Sequence, residues 1–194
     1  MSVITGGCLY QGKQCLQHES YADVFRPFLL KENFTKIIEI GTCHGGLTLF
    51  LKHTSPNSQV VSYDVQGEEE LKFLKEAGVD FRCKNVFSKD YQRITDQEFL
   101  DEIRYSGKLL VLVDGGNKAG EFNVISDYLR AGDFIMCHDY VTDRATFEAE
   151  FKDKIWNWCE ITENDIRDCS IRNNLIQVYP EFNSVVWQCK KKVK

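Results

Sequence analysis

The chain contains no run of about 20 apolar residues, so nothing in it reads as a bilayer-spanning helix. No two of its eight cysteines form a CxxC pair: they stand at 8, 15, 43, 83, 137, 159, 169 and 189. That scatter argues against a structural zinc site and for reduced, mostly buried thiols. Cationic residues are not in excess either. Lys and Arg number 24 against 29 Asp and Glu, which leaves no broad basic face to follow a nucleic-acid backbone. The closing KKKVK reads as a solvated end. The first 30 residues carry His18, Glu19 and Asp23 and no apolar block, so no secretory leader is expected and a cytoplasmic setting is. These absences leave a small molecule as the expected partner, with neither nucleic acid nor membrane.

What is present is a βα rhythm in 194 residues, a length that suits one domain with a proper core. Residues 1–19 read as irregular, and YADVFRPFLL as a helix that Pro27 threatens to interrupt. TKIIEIG, QVVSYDV, VDFRCKNVF, KLLVLVDGG and DFIMCHDY read as strands. Between them GGLTLFLKHT, EEELKFLKEAG, TDQEFLDEIRYSG and EFNVISDYLRAG read as helices, the third opened by a capping box from Thr95 to Glu98. Residues 143–153 read as helical and charged. WNWCEI and SVVWQCK read as two further strands, carrying Trp156, Trp158 and Trp187 and separated by an insert at 162–183. No good helical crossover joins them, which predicts antiparallel pairing at a sheet edge. The expected fold is α/β: a single Rossmann-like, doubly wound sheet, mostly parallel, of about seven strands with an antiparallel last strand and helices on both faces. Residues 1–33 would form an N-terminal lid and helix, 34–140 the ligand-binding core, and 141–194 the C-terminal strands with a substrate-side insert.

In such sheets ligands bind beyond the carboxyl ends of the strands. Those ends carry Glu39 to Gly46, Asp64, Asn85 to Phe87, Asp114 to Lys118 and His138 to Tyr140, and four of the five hold an acid. The first of these loops, EIGTCHGG, lacks the middle glycine of a diphosphate-binding GxGxxG, since Gly41 and Gly46 flank Cys43 there. Glu39 is a poor neighbour for diphosphate and a good one for an amino group or a sulfonium. Asp64 follows Gly41 by 23 residues, where an acid can take both ribose hydroxyls. Together these ask for a nucleoside with a cationic tail. S-adenosylmethionine fits, and a nicotinamide dinucleotide fits less well.

EIGTCHG and VVSYDV resemble the first two motifs of the class I S-adenosylmethionine-dependent methyltransferases. Residues 11–140, above all LVLVDGGNKAGEFNVISDYLRAGDFIMCHDY, resemble the cephalosporin-hydroxylase and macrocin O-methyltransferase-like small-molecule group. The resemblance implies O-methylation of a sugar or metabolite hydroxyl. It implies that Glu39, Gly41, Thr42, Cys43, His44, Gly45 and Gly46 wrap the methionine moiety, that Asp64 and Val65 hold the ribose, and that Asn85 and Val86 flank the adenine. Asp114 would face the transfer site, with Asp114, His138 and Asp139 as catalytic residues and as ligands of Mg²⁺ or another divalent metal. Two departures stand against the group's pattern. Asn117 replaces the expected histidine base, and His138 replaces an acid.

His138 is then the candidate base, or a histidine that only bonds backbone at a strand end. Gln17 and His18, before the first helix, are candidate lid residues over the substrate, and Asn117, Lys118 and Tyr140 candidate substrate contacts. The acceptor pocket would be built from 1–30, 140–150 and 162–183, or completed by a second copy in a homo-oligomer. A non-catalytic domain binding S-adenosylmethionine or S-adenosylhomocysteine is the main alternative, and a nicotinamide-dependent reductase the next.

Overall fold

A computed structural model describes residues 7–67 and 69–194. The first six residues of the expected lid, and Glu68 in the expected acidic helix, lie outside the described residues. The chain opens with a hairpin, β1 (Cys8–Tyr10) and β2 (Lys13–Cys15), where irregular chain is expected. It continues through α1 (Tyr21–Glu32), β3 (Lys36–Ile40), α2 (Gly46–Thr54), β4 (Gln59–Asp64), α3 (Lys72–Glu76) and β5 (Asp80–Cys83). Then come α4 (Gln97–Ile103), β6 (Leu109–Val113), α5 (Lys118–Ser126), β7 (Phe134–Cys137) and β8 (Tyr140–Val141). The last part holds α6 (Arg144–Thr146), a π-helical stretch (Phe147–Phe151), β9 (Ile161–Thr162), α7 (Glu163–Arg172), β10 (Leu175–Gln177), a 3₁₀ stretch (Pro180–Val185) and β11 (Gln188–Lys192).

Seven strands form one sheet in the order β10-β11-β7-β6-β3-β4-β5. The five central and right-hand strands run parallel, and β11 runs antiparallel to both neighbours. Strand alternation sorts the core onto two faces. Ile37, Leu110, Leu112, Phe134 and Met136 pack under α1, α2 and the 3₁₀ stretch. Ile38, Val61, Val111, Val113 and Ile135 pack under α4, α5 and α7. The doubly wound sheet expected from the sequence is what the chain forms. Its order turns at β3 and β6, so the loops after those two strands open outward at the switch point.

Several local expectations fail for identifiable reasons. Pro27 lies inside α1 without ending it. The cap of α4 is Asp96, whose carboxylate accepts from Phe99 N–H, while the Thr95 hydroxyl donates to Val86 O instead of capping. WNWCEI is not a strand of the main sheet; only its last residue enters β9, which pairs in parallel with β8 in a separate two-stranded sheet. The 162–183 insert contains α7, opened by a capping box from Thr162 to Asp165 that polar residues had masked. SVVWQCK becomes a strand only from Gln188, and most of KKKVK belongs to that strand, with Lys190 buried and bonded to Glu163. Lys190, Lys191 and Lys192 thus belong to a sheet strand, because their backbone pairs between β7 and β10, and only Val193 and Lys194 form the exposed end. All eight cysteines are free. Among the described residues no helix is long and apolar enough to cross a membrane.

Candidate active site

Gly41 sets the geometry. It ends β3 at φ 92°, and a Cβ there would lie 2.2 Å from the Asp114 carbonyl oxygen. Only glycine lets the ends of β3 and β6 approach so closely. The position of the missing middle glycine keeps a left-handed backbone regardless: Cys43 adopts φ 49°, and its N–H donates to Asp64 Oδ2 at 2.8 Å. Gly46 has a different task. A Cβ there would meet Gln14 O at 2.4 Å, so it admits the N-terminal hairpin against the start of α2.

Around this loop lies a cavity of about 690 Å³. Of the expected cofactor residues, Gly41, Cys43, His44, Asp64, Val65, Asn85, Val86 and Asp114 line it. Glu39, Thr42, Gly45 and Gly46 do not. Glu39 is fully buried beneath the loop, where Thr48 and Ser62 hydroxyls donate to its Oε2 and Thr42 bonds Ser62 in turn. Burial pushes the Glu39 carboxyl up to about 7, against those hydroxyl bonds. Sequence reading missed Gln66, Glu70, Lys84, Tyr91 and Glu121 as lining residues. Lys84 directly follows β5 and so lies at a strand end, while Glu70 lies before α3 and carries no such signal. Glu121 sits in α5 one turn after the loop, a spacing that could have flagged it. Its carboxyl is likewise pushed up to about 7 by burial.

The second group lies behind Asp114 and is closed. Asp114 Oδ1 meets His138 Nδ1 at 3.0 Å, and Oδ2 accepts from Gln17 Nε2 at 3.0 Å. Gln17 is buried and its Oε1 accepts from Trp187 Nε1, so it is a strut between Trp187 and Asp114 where a lid residue was expected. His18 bonds the Ser20 backbone N–H. His138 is buried between Trp187, stacked at 4.8 Å, and Trp156, and it does not line the cavity. Its Nε2 has no hydrogen-bond partner among the described residues. Burial favours the neutral ring, but Asp114 and Asp139 outweigh it and raise its pKa. Asp139, at φ 54°, accepts from Trp156 Nε1 at 2.6 Å. Burial pushes its carboxyl up, and His138 and Lys118 pull it below the usual range.

The remaining expected substrate contacts are engaged in the fold. Tyr140 is buried with its hydroxyl donating to Glu163. Asn117 is exposed and caps α5 through Gly120 N–H. Lys118 is buried, with Nζ 2.7 Å from Glu160 Oε2, 3.1 Å from Asp139 Oδ2 and 3.5 Å from Asp114 Oδ1. Burial disfavours its charge, and the three carboxylates more than restore it. Neither α7 nor β10 lines this cavity; Ile166 of α7 and Leu175 of β10 pack in the core beneath the sheet.

As a metal centre, Asp114, His138 and Asp139 place one donor atom each within 4.8 Å of one another, a fitting spacing. The oxygens are not free, however. Gln17, His138, Trp156 and Lys118 already occupy all four of the two aspartates. The donor set fits a cation, and the cation it holds is an ammonium.

No protein-family model matches the chain, and a search of curated proteins finds no match. Solved structures do match in fold. An apo structure of CmcI is similar at TM-score 0.68 and 13% identity, covering 96% of this chain and 76% of that one. CmcI with Mg and SAM is similar at TM-score 0.63 and 13% identity, covering 95% and 76%. An O-methyltransferase family protein from Burkholderia thailandensis is similar at TM-score 0.53 and 9% identity, covering 87% and 56%. The chain therefore has the Rossmann-like methyltransferase fold, as the resemblance in its motifs implies.

Proposed function

We propose that this chain is an S-adenosylmethionine-dependent methyltransferase acting on a hydroxyl of a small molecule. The observation that carries the reading is the single cavity spanning Asp64 and Asp114 across the Gly41 loop. In this reading Asp64 takes the ribose hydroxyls and Asp114 faces the acceptor. Among the described residues its lining holds the acids Asp64, Glu70, Asp114 and, with a raised carboxyl, Glu121, and one lysine, Lys84. That balance attracts a sulfonium and repels a diphosphate, which sets the nicotinamide reading aside. CmcI, of the same fold, has been solved with SAM and with Mg. The eight free thiols suit a reducing, cytoplasmic setting.

S-adenosylmethionine supplies an activated methyl group when bound. The chain's own part is to hold the acceptor oxygen in line and to receive its proton. Asp114 is the group that touches the cavity and takes that role. His138 and Gln17 fix its two oxygens and so orient it. His138 acts through Asp114, since its ring lies outside the cavity. That same closure favours a second reading, a domain that binds the cofactor without turnover.

Calorimetric titration with S-adenosylmethionine, S-adenosylhomocysteine and NADH tests the proposal. Binding of the adenosyl ligands alone is expected, and Asp64→Ala should weaken it by about 10- to 100-fold, as loss of hydrogen bonds to a charged carboxylate does. No adenosyl binding, or an unchanged Asp64→Ala, would sink it. Methylation of a hydroxyl library, lost in Asp114→Asn, separates the enzyme from the binding domain.

A further inference from the structure

We infer that the ammonium of Lys118 is the resident cation of the Asp114–Asp139–Glu160 cradle, standing where a divalent ion would, so that the site works without a bound metal. Its catalytic meaning rests on the methyltransferase reading; the occupancy itself does not.

The carboxylates come from three separate pieces of chain: the end of β6, the end of β7, and the residue before β9. Nothing in a strand end requires three acids to converge, and the two largely buried aspartates need a countercharge, while Glu160 joins them from an exposed position. Lys118 enters from the first turn of α5 and is the shared partner of all three. Its Nζ also donates to Gly115 O at 3.2 Å, so the three ammonium hydrogens meet four oxygens. Of the other aspartate oxygens, Asp114 Oδ2 accepts from Gln17 and Asp139 Oδ1 from Trp156, while His138 Nδ1 shares Asp114 Oδ1 with Lys118. A small hard dication needs several oxygens at about 2.0–2.1 Å and keeps waters of its own. Here that space holds a side chain, and each oxygen of the two aspartates already has a partner.

The consequence is functional. A metal near the transfer site would hold negative charge on the acceptor side. Lys118 supplies a fixed unit charge to Asp114 instead, tethered to the backbone one turn away. It is a positioning residue, because it does not line the cavity. Asn117, next to it, fits the same picture. Its side chain caps α5 and so anchors the turn from which Lys118 reaches the three carboxylates.

The test is a gain of function. Mn²⁺ binding to the whole chain is followed by the decrease of the free-ion electron paramagnetic resonance signal. The wild-type protein should bind no ion at this site. Lys118→Ala, which empties the cradle, and Lys118→Met, which keeps the packing and removes the charge, should each take up one Mn²⁺ at least about tenfold more tightly. Lys118→Ala combined with Asp139→Asn should lose the ion again. Circular dichroism melts confirm that each variant is folded. Mn²⁺ binding to the wild type that Lys118→Ala leaves unchanged would overturn the inference, and so would failure of both folded Lys118 variants to bind. Titration of the same proteins with S-adenosylhomocysteine keeps the two ideas apart. A chain that gains Mn²⁺ but never binds the nucleoside retains the built-in cation and loses the methyltransferase reading.

Discussion

Two acidic regions lie side by side at the carboxyl end of this sheet, and they differ in what bonds their acids: backbone N–H groups hold Asp64, and buried side chains hold Asp114 and Asp139. The rim around Cys43, Asp64 and Asn85 is open, lining a cavity with exposed side chains and backbone. The nest of Asp114, Lys118, His138, Asp139 and Trp156 is shut, and each carboxylate oxygen has a donor. A strand-end acid is therefore not one kind of thing. Where its partners are backbone N–H groups beside a cavity, it can receive a ligand. Where they are a lysine, a histidine and an indole, it is held by the protein's own parts, and of the nest's acids Asp114 also lines the cavity.

Gly41 is the seam between the two regions, and breaking it should have the largest effect. Gly41→Ala forces a left-handed backbone on alanine and drives a methyl group into the Asp114 carbonyl. A loss of about 3 kcal/mol or more is expected in denaturant melts, with loss of adenosyl binding. Gly116 lines the same cavity, but a Cβ there would meet nothing within 4 Å. Gly116→Ala should stay within about 0.5 kcal/mol of wild type. Equal effects of the two substitutions would erase the seam.

A smaller effect sharpens the contrast between two buried carboxyls. Glu39 has only hydroxyls around it and is pushed up to about 7; Asp139 has Lys118 and His138 and is pulled down. Glu39's folded pKa lies above its unfolded value, so it contributes full stability below about 4.5 and loses it as pH rises through about 7. The loss is of order 3 kcal/mol across that window. Glu39→Gln should flatten the fall of stability between pH 4.5 and 7.5, read by urea midpoints at several pH values. An unchanged slope would mean that Glu39 ionises freely under the loop.

The same contrast explains what the sequence could tell. The sheet was legible because KIIEI and LLVLV are buried on both sides, and unbroken apolar runs of strand length have few other uses. Asp64 and the Gly41 loop were legible because their role follows from position at a strand end. The closed nest was not. Its members lie at 17, 114, 118, 138, 139, 156 and 160, and no local spacing links Gln17 to Trp187 or Glu160 to Lys118. Trp156 reads as a strand residue on pattern, yet its N–H is what Asp139 requires. The C-terminal lysines mislead for a related reason. Charge along KKKVK suggests solvent, while Lys190 is buried because Glu163 from α7 waits for it.

Asn117 gives the smallest effect and the finest test of which region a residue belongs to. It stands in the loop between Asp114 and Lys118, where pattern alone makes it a substrate contact. Its side chain accepts from Gly120 N–H at 3.0 Å, and it does not line the cavity. If it is a cap, Asn117→Ala costs about 1 kcal/mol in stability and leaves adenosyl affinity unchanged. Asn117→Ser or Asn117→Asp then restores most of the loss, since both can cap. If it touches a ligand, the order reverses: stability barely moves, acceptor turnover falls, and neither capping residue restores it. The first outcome assigns the loop after Asp114 to the nest, with α5 anchored so that Lys118 reaches the three carboxylates. The second would move that loop to the open side and shrink the nest to the residues behind it.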